Sequence, residues 1–386
     1  MIPYGRQSIT KEDLAAVQEV LRSDFLTQGP TVPAFEKAVA TYCQAGYAVS
    51  SNSGTSSLHL ACLALGVQPG DRIWTTPITF VATANCALYC KARIDFVDIE
   101  EQSINLDVSR LAQKLEQARK NGTLPKVVIP VHFAGQPCDM EAIYRLRKEY
   151  GFRIIEDACH ALGASYKGEP VGNCRYSDIT VFSFHPVKII TTGEGGLATT
   201  NDPQLAETMR LLRSHGITRE PEAMSRQPDG PWYYEQLGLG FNYRLTDIQA
   251  ALGISQLKRL DQFVGKRHEL ARRYKTLLNG VNVRPLHQYK DRVSSYHLYV
   301  VRLGPQQNRP SQKKVFLALR EQGIGVNLHY IPVYRQPYYK RFNFPEHYCP
   351  QAEKYYSEAL TLPLHPQLTP EQQDQVVEAL QNALCK

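Results

Sequence analysis

Two rhythms of apolar and polar positions run along this chain. Short apolar runs bounded by turn residues recur at Tyr47–Ser50, Arg72–Thr75, Arg93–Val97, Lys126–Pro130, Arg153–Glu156 and Asp178–Phe184. Runs this short, apolar on successive residues, read as strands buried on both faces. Between several of them apolar residues fall at helical spacing, as in Val108–Lys120 and Met140–Tyr150. Strand alternating with helix predicts an α/β architecture, a predominantly parallel sheet covered on both faces. Ligands in such sheets sit beyond the carboxyl ends of the strands.

The flanks carry other signals. Thr10-Lys11-Glu12-Asp13 resembles a capping box, with Asp for the usual Glu, and opens a helix to about Arg22. Ser23–Pro30 reads as a loop, and a second helix runs from Pro33 to Cys43. Leu58–Leu65 is a helix with an apolar face. Ser214–Glu235, with Pro221, Pro228 and Pro231, is a loop-rich excursion. Leu245–Phe263 predicts a long helix running into another by Leu277. Strand patterns follow at Ser295–Leu303 and Gly325–His329, with a helix at Ser311–Gln322. Thr369-Pro370-Glu371-Gln372 caps a terminal helix. The expected division is an N-terminal segment (1–30), a large domain (31–250), and a linking helix with a small α+β domain (251–386).

Composition narrows the class. At 43% hydrophobic and 21% charged residues the chain is ordinary for a globular protein. No apolar run approaches the roughly 18 residues of a membrane span, and the N-terminus lacks a signal-peptide core. Nine scattered cysteines without a CxxC pair, Cys86 and Cys90 being i,i+4 on a helix, point to reduced thiols in a cytoplasmic protein. No metal site is expected, because no ligand cluster has suitable spacing. The net charge of +7 is compatible with an anionic substrate such as a nucleotide. The densest basic stretch, Lys266-Arg267-His268 with Arg272-Arg273, falls at helical spacing and reads as a solvated helix face.

The chemistry concentrates in two places. Ile154-Ile155-Glu156-Asp157-Ala158-Cys159-His160 is a buried-strand pattern ending in an acid, with a histidine three residues on. Ser183-Phe184-His185-Pro186-Val187-Lys188 then sets one lysine between an apolar run and the turn Gly193-Glu194-Gly195-Gly196. A lysine in apolar surroundings has a lowered pKa and forms Schiff bases. An acid about thirty residues before it suits pyridoxal phosphate (PLP), holding the pyridine nitrogen protonated while the lysine carries the aldehyde. Ser53-Gly54-Thr55-Ser56-Ser57 opens the Leu58 helix and suits a phosphate, although Ser53 or Thr55 would equally serve as an ordinary N-cap. Phe80 suits a stacking partner for a flat ring or a core residue. Asn242 reads as a polar contact or a helix cap, and His329 and Tyr330 as a polar pair closing a strand. Taken singly, Asp157, His160 and Lys188 have bland readings; their joint order carries the argument.

The segments "EDACHALGA", "SDITVFSFHPVKIITTGEGG", "LLRSHGI" and "GFNYRLTDIQAALG" resemble the DegT/DnrJ/EryC1/StrS sugar aminotransferases of PLP fold type I, over essentially the whole chain. "IPYGRQSI", "SDFLTQGP", "TTPITFVATANCALY" and "VNLHYIPVY" are most similar to the branch that makes pseudaminic acid. The resemblance implies a large domain with a mainly parallel seven-stranded sheet of the aspartate-aminotransferase type, plus a smaller α+β domain. It implies Lys188 as the Schiff-base lysine and proton shuttle, Asp157 on the pyridinium nitrogen and His160 near the ring hydroxyl. Phe80 would cover one ring face, while Ser183 and the Gly54–Thr55 backbone, with Ser53, would hold the phosphate. Asn242 would reach the cofactor of a neighbouring subunit, which requires a homodimer. Tyr4, Phe25, Leu26, Thr27, Ser53, Asn242, His329 and Tyr330 match sugar-nucleotide contacts. The implied substrates are L-glutamate and a UDP-linked 4-keto sugar.

Cys159 stands where the family often has Ala or Ser, and other branches carry Gln at His160. Dehydratase relatives have His in place of the lysine, so Lys188 favours transamination. Other readings are amination of a perosamine-, bacillosamine- or aminoarabinose-type sugar, a PLP lyase using Cys349, and a PLP-binding regulator. The last lacks a spare segment for a DNA-binding module.

Overall fold

Seven strands form the central sheet: β1 (Tyr47–Ser51), β2 (Arg72–Thr75), β3 (Arg93–Phe96), β4 (Val127–Ile129), β5 (Arg153–Asp157), β6 (Ile179–Ser183) and β7 (Gly196–Thr200). In the computed structural model, which describes residues 1–305 and 310–385, they lie in the order β1-β7-β6-β5-β4-β2-β3. Every pairing is parallel except those of β7 with β1 and β6. The six expected strands are all present; β7 is added to them. Its sequence, Gly196-Leu-Ala-Thr-Thr, is wholly buried but lacks the bulky apolar run that marks the others. Because β7 runs against both neighbours, the carboxyl ends of β1, β5 and β6 emerge on the same edge.

Twelve α-helices occur among the described residues. The first seven are α1 (Lys11–Leu21), α2 (Thr31–Cys43), α3 (Gly54–Ala64), α4 (Ala82–Tyr89), α5 (Val108–Lys120), α6 (Met140–Tyr150) and α7 (Pro203–Arg213). The amphipathic α5 and α6 cover one face of the sheet around Leu111, Leu115, Ile143 and Ile154. On the other face α3 is buried nearly all round and joins α4 in the largest core cluster.

The long helix expected from Leu245 is two, α8 (Asp247–Leu257) and α9 (Leu260–Leu277). Thr246 caps α8 through a capping box with Gln249. The chain turns at Lys258-Arg259, where Arg259 and Gln256 both donate to the buried Asp13 carboxylate at 2.5 and 2.7 Å, tying α1 to the break. Beyond lie α10 (Gln312–Glu321), α11 (Pro350–Glu358) and α12 (Pro370–Leu384). They accompany an antiparallel sheet of Val283–Pro285, Tyr299–Leu303 and Ala359–Leu362, with the middle segment central. Leu270, Tyr274, Val301, Leu319, Leu362 and Val376 form its core, which Ile2 also enters. Ile2–Pro3 pairs in parallel with Ile324–Gly325. The strand expected over Gly325–His329 therefore stops at Gly325. Asn327 leaves the row to exchange two backbone bonds with Thr361, and His329 and Tyr330 follow in an irregular segment.

Candidate active site

The shared edge of β1, β5 and β6 opens into a cavity of about 990 Å³. α3 starts there. Ser53 is extended and its hydroxyl accepts the N–H of Ser56 at 3.1 Å, so the ordinary capping role is real. The first-turn N–H groups of Gly54 and Thr55 have no intrahelical acceptor, and both residues line the cavity at the positive helix end. A Cβ at Gly54 would meet Ser183 Cβ at 3.0 Å and Oγ at 3.3 Å, and Cys159 Sγ at 3.4 Å. One at Gly196 would fall 2.2 Å from the Ser53 carbonyl oxygen, so β7 and α3 touch only because glycine begins β7. The result is a cradle of N–H and hydroxyl groups of the kind that holds a phosphate.

Asp157 ends β5 and is buried. Its Oδ2 accepts from the Thr83 hydroxyl at 2.6 Å, and its Oδ1 accepts the Cys159 N–H at 3.1 Å. Lys188 lies in the turn after β6 and lines the same cavity. Burial pushes its ammonium pKa down, while the nearby Asp157 carboxylate opposes that shift. Burial likewise drives the Cys159 thiol well up.

His160 Nε2 lies 3.1 Å from the Tyr330 hydroxyl, and its Nδ1 is buried without a partner among the described residues. Burial, then the charge of Lys188, holds the pKa of this imidazole well below its usual range. His329 Nδ1 is 2.8 Å from the Thr361 hydroxyl, and burial with Lys188 brings its pKa down to about 3. The Tyr4 ring lies 5.2 Å from that of His329. Phe80 is 58% exposed at the rim, 6.3 Å from the Tyr330 ring, an aromatic face left open beside a cavity.

Tyr4, Ser53, Gly54, Thr55, Phe80, Asp157, His160, Ser183, Lys188, His329 and Tyr330 thus share one cavity. Phe25, Leu26, Thr27 and Asn242 do not line it; all four are exposed. The reason lies in Asp247, whose carboxylate accepts the N–H groups of Gly29 and Thr31, both at 2.8 Å, and whose own N–H donates to the Leu26 carbonyl. These bonds pin the 25–30 loop to the outer start of α8. Asn242 is no helix cap either, because Thr246 fills that role.

Sequence reasoning missed Thr83, which orients Asp157, and His297, whose ring lies 4.4 Å from that of His160. Thr79 and Thr83 at i,i+4 hint at a shared polar face, but His297 sits inside an apolar run with no motif. Arg267 corrects the reading of the basic stretch as a solvated face, being 1% exposed. Cys349, the residue a lyase would need, is outside the cavity, buried at the start of α11, with its thiol pushed up by burial.

An anion cradle of bare N–H groups, a carboxylate held by two donors and a desolvated lysine fit pyridoxal phosphate. Ser183, Gly54 and Thr55 suit its phosphate, Asp157 its ring nitrogen and Lys188 its aldehyde. Fold and donor set suit a PLP-dependent enzyme. The chain belongs to the DegT/DnrJ/EryC1/StrS aminotransferase family, whose sequence profile matches residues 7–381, and it is a PLP-dependent nucleotide-sugar aminotransferase. It is 39% identical over 386 residues to the spore coat polysaccharide biosynthesis protein SpsC of Bacillus subtilis, covering 99% of this chain and 96% of that one. It is 38% identical over 369 residues to UDP-4-amino-4,6-dideoxy-N-acetyl-beta-L-altrosamine transaminase of Campylobacter jejuni, covering 95% and 93%. The structure of Helicobacter pylori PseC, an aminotransferase involved in the biosynthesis of pseudoaminic acid, superposes with a TM-score of 0.90 at 33% identity, covering 99% of each chain. Among the described residues no helix is long and apolar enough to cross a membrane.

Proposed function

We propose that the protein moves the amino group of L-glutamate to C4 of UDP-2-acetamido-2,6-dideoxy-β-L-arabino-hex-4-ulose. The product is UDP-4-amino-4,6-dideoxy-N-acetyl-β-L-altrosamine, a precursor of pseudaminic acid. The observation that carries the reading is the desolvated Lys188 beside Asp157, next to the Gly54–Ser183 cradle. The choice of sugar is supported by likeness to the Campylobacter jejuni transaminase and to PseC.

Bound PLP supplies an aldehyde that carries the amino group and a ring that withdraws electrons from the reacting carbon. The residues of the chain do the rest. Burial lowers the Lys188 pKa and so favours the amine form that would bond the aldehyde; released, the same amine would take and return the proton at the reacting carbon. Asp157, fixed by Thr83 and the Cys159 N–H, keeps a proton on the ring nitrogen. Ser183, Ser53, Gly54 and Thr55 would anchor the phosphate, Phe80 would cover a ring face and His160 would meet the ring hydroxyl. Tyr4, His329 and Tyr330 contact the sugar nucleotide. Phe25, Leu26, Thr27 and Asn242 act across a homodimer, reaching a neighbouring subunit's cavity from their exposed positions. The likeness to SpsC favours a second reading, amination of another nucleotide sugar used in a surface polysaccharide.

The test is the absorbance of the purified protein with PLP. L-Glutamate should shift the visible band, and the UDP-4-keto sugar should restore it. A band that glutamate shifts but this sugar leaves unchanged sinks the proposed acceptor. Lys188→Ala should abolish turnover with the circular dichroism unchanged; full activity in that variant sinks the assignment of the lysine.

A further inference from the structure

Arg267 is the most unusual charge outside the proposed chemistry. It sits on α9 at 1% exposure. No carboxylate pairs with it among the described residues. Its Nη1 donates to the backbone carbonyls of Tyr296 at 3.1 Å, His297 at 3.1 Å and Leu364 at 3.0 Å, and its Nε has no partner. Burial brings its pKa down to about 10, so it stays cationic at neutral pH. An unpaired buried charge is poor for stability, since an apolar side chain of similar volume is usually at least as stable there. A role in the neighbouring chemistry accounts better for it.

That neighbour is His297. Its ring lies 4.4 Å from the ring of His160, with 48° between the planes, and its Nδ1 is also buried without a partner among the described residues. The Ser295 hydroxyl donates to the His160 carbonyl at 2.7 Å, so the segment that Arg267 grips also seats His160. The charged and titratable groups facing His297 are His160, Lys188, Arg267 and His329. Those facing His160 are Lys188, His329, His297 and the Tyr330 hydroxyl. Neither set contains a carboxylate; Asp157 lies toward Lys188 and Cys159. A proton on His297 would sit in a buried site beside the Arg267 guanidinium, with no carboxylate to offset it.

We propose that Arg267 is a positioning residue for the aminotransferase site, its permanent charge helping to keep His297 uncharged and its three carbonyl contacts seating that ring against His160. A neutral His160 can both donate and accept at its two nitrogens, whereas an imidazolium only donates. The cavity then presents the cofactor with one fixed pattern of hydrogen bonding at mildly acid pH. This rests on the reading of the cavity as the PLP site, but the charge state of the imidazoles is measurable without turnover.

The experiment is NMR of the full-chain PLP-bound protein with isotope-labelled histidine, titrated from about pH 8 to about pH 5.5, a range in which an ordinary histidine changes charge. In the unaltered protein both His160 and His297 should stay neutral throughout. In Arg267→Met His297 should take up a proton in that range. The acid limb of the glutamate half-reaction should move up by about one pH unit, the shift expected when one neighbouring charge is lost. A merely structural role would lower the rate at every pH and leave the limb in place. Either imidazole titrating near pH 6.5 in the unaltered protein overturns the proposal without any variant. So does a folded Arg267→Met in which His297 stays neutral. Absence of a visible PLP band, by contrast, would refute the cofactor site and leave the imidazole titration readable on its own.

Discussion

His329 is buried neutral, and acid should find it. Its pKa is about 3 in the folded chain, against about 6.5 when unfolded. The unfolded state therefore binds a proton that the folded state refuses. Stability is fully present above pH 6.5 and is lost as the pH falls from there toward 3. At about pH 5 the unfolded imidazole is protonated in most molecules and the folded one is not. The linkage loss is then about 1.5 pH units at 1.36 kcal/mol each, or about 2 kcal/mol. His329→Asn should remove that loss. The Asn amide lies near the position of Nδ1 and can keep the bond to the Thr361 hydroxyl, now 2.8 Å. Urea unfolding of both proteins at about pH 7.5 and about pH 5 isolates the effect, because any loss of packing in the variant is common to both conditions. The variant should lose about 2 kcal/mol less on acidification than the parent. Equal losses would refute the reasoning and mean that His329 accepts a proton in the folded state. His160, His297 and His365 are depressed by burial in the same direction, so the parent should be acid-sensitive as a whole.

Two further substitutions test the cavity. Gly54→Ala puts a methyl group 3.0 Å from Ser183 Cβ; with overpacking of about 1–2 kcal/mol it should weaken PLP binding by roughly tenfold or more, read by fluorescence titration, while folding persists. Thr83→Val removes the hydroxyl that donates to Asp157 at 2.6 Å; losing a bond to a charged group, about 1.5 kcal/mol, should slow the glutamate half-reaction about tenfold in single-turnover absorbance, with Thr83→Ser restoring the rate.

Much of this was legible in the chain, for reasons that differ between elements. Helices α5 and α6 announce themselves by period and α12 by its cap; Asp107, Asp139 and Thr369 bond their own first turns. The parallel strands show as apolar runs because both faces are covered. β7 did not show, since a Gly-Leu-Ala-Thr-Thr strand has little side chain to declare burial, and its place depends on the close approach at Gly196. The end of pairing at Gly325 was also hidden, because Thr361 captures Asn327 from a strand more than thirty residues away.

By itself the sequence determined the α/β class, the acid, the lysine and the glycine-opened helix, since each is a local pattern of residue types. Only the tertiary structure decided which of them meet. The antiparallel β7 brings the ends of β1 and β6 to one edge, so that Ser53, Gly54 and Ser183 become neighbours of Asp157 and Lys188. It turned Arg267 inward from a helix whose spacing alone suggested water, and placed His297 against His160. A side chain's charge state depends on everything packed around it, and most of those neighbours are distant in sequence.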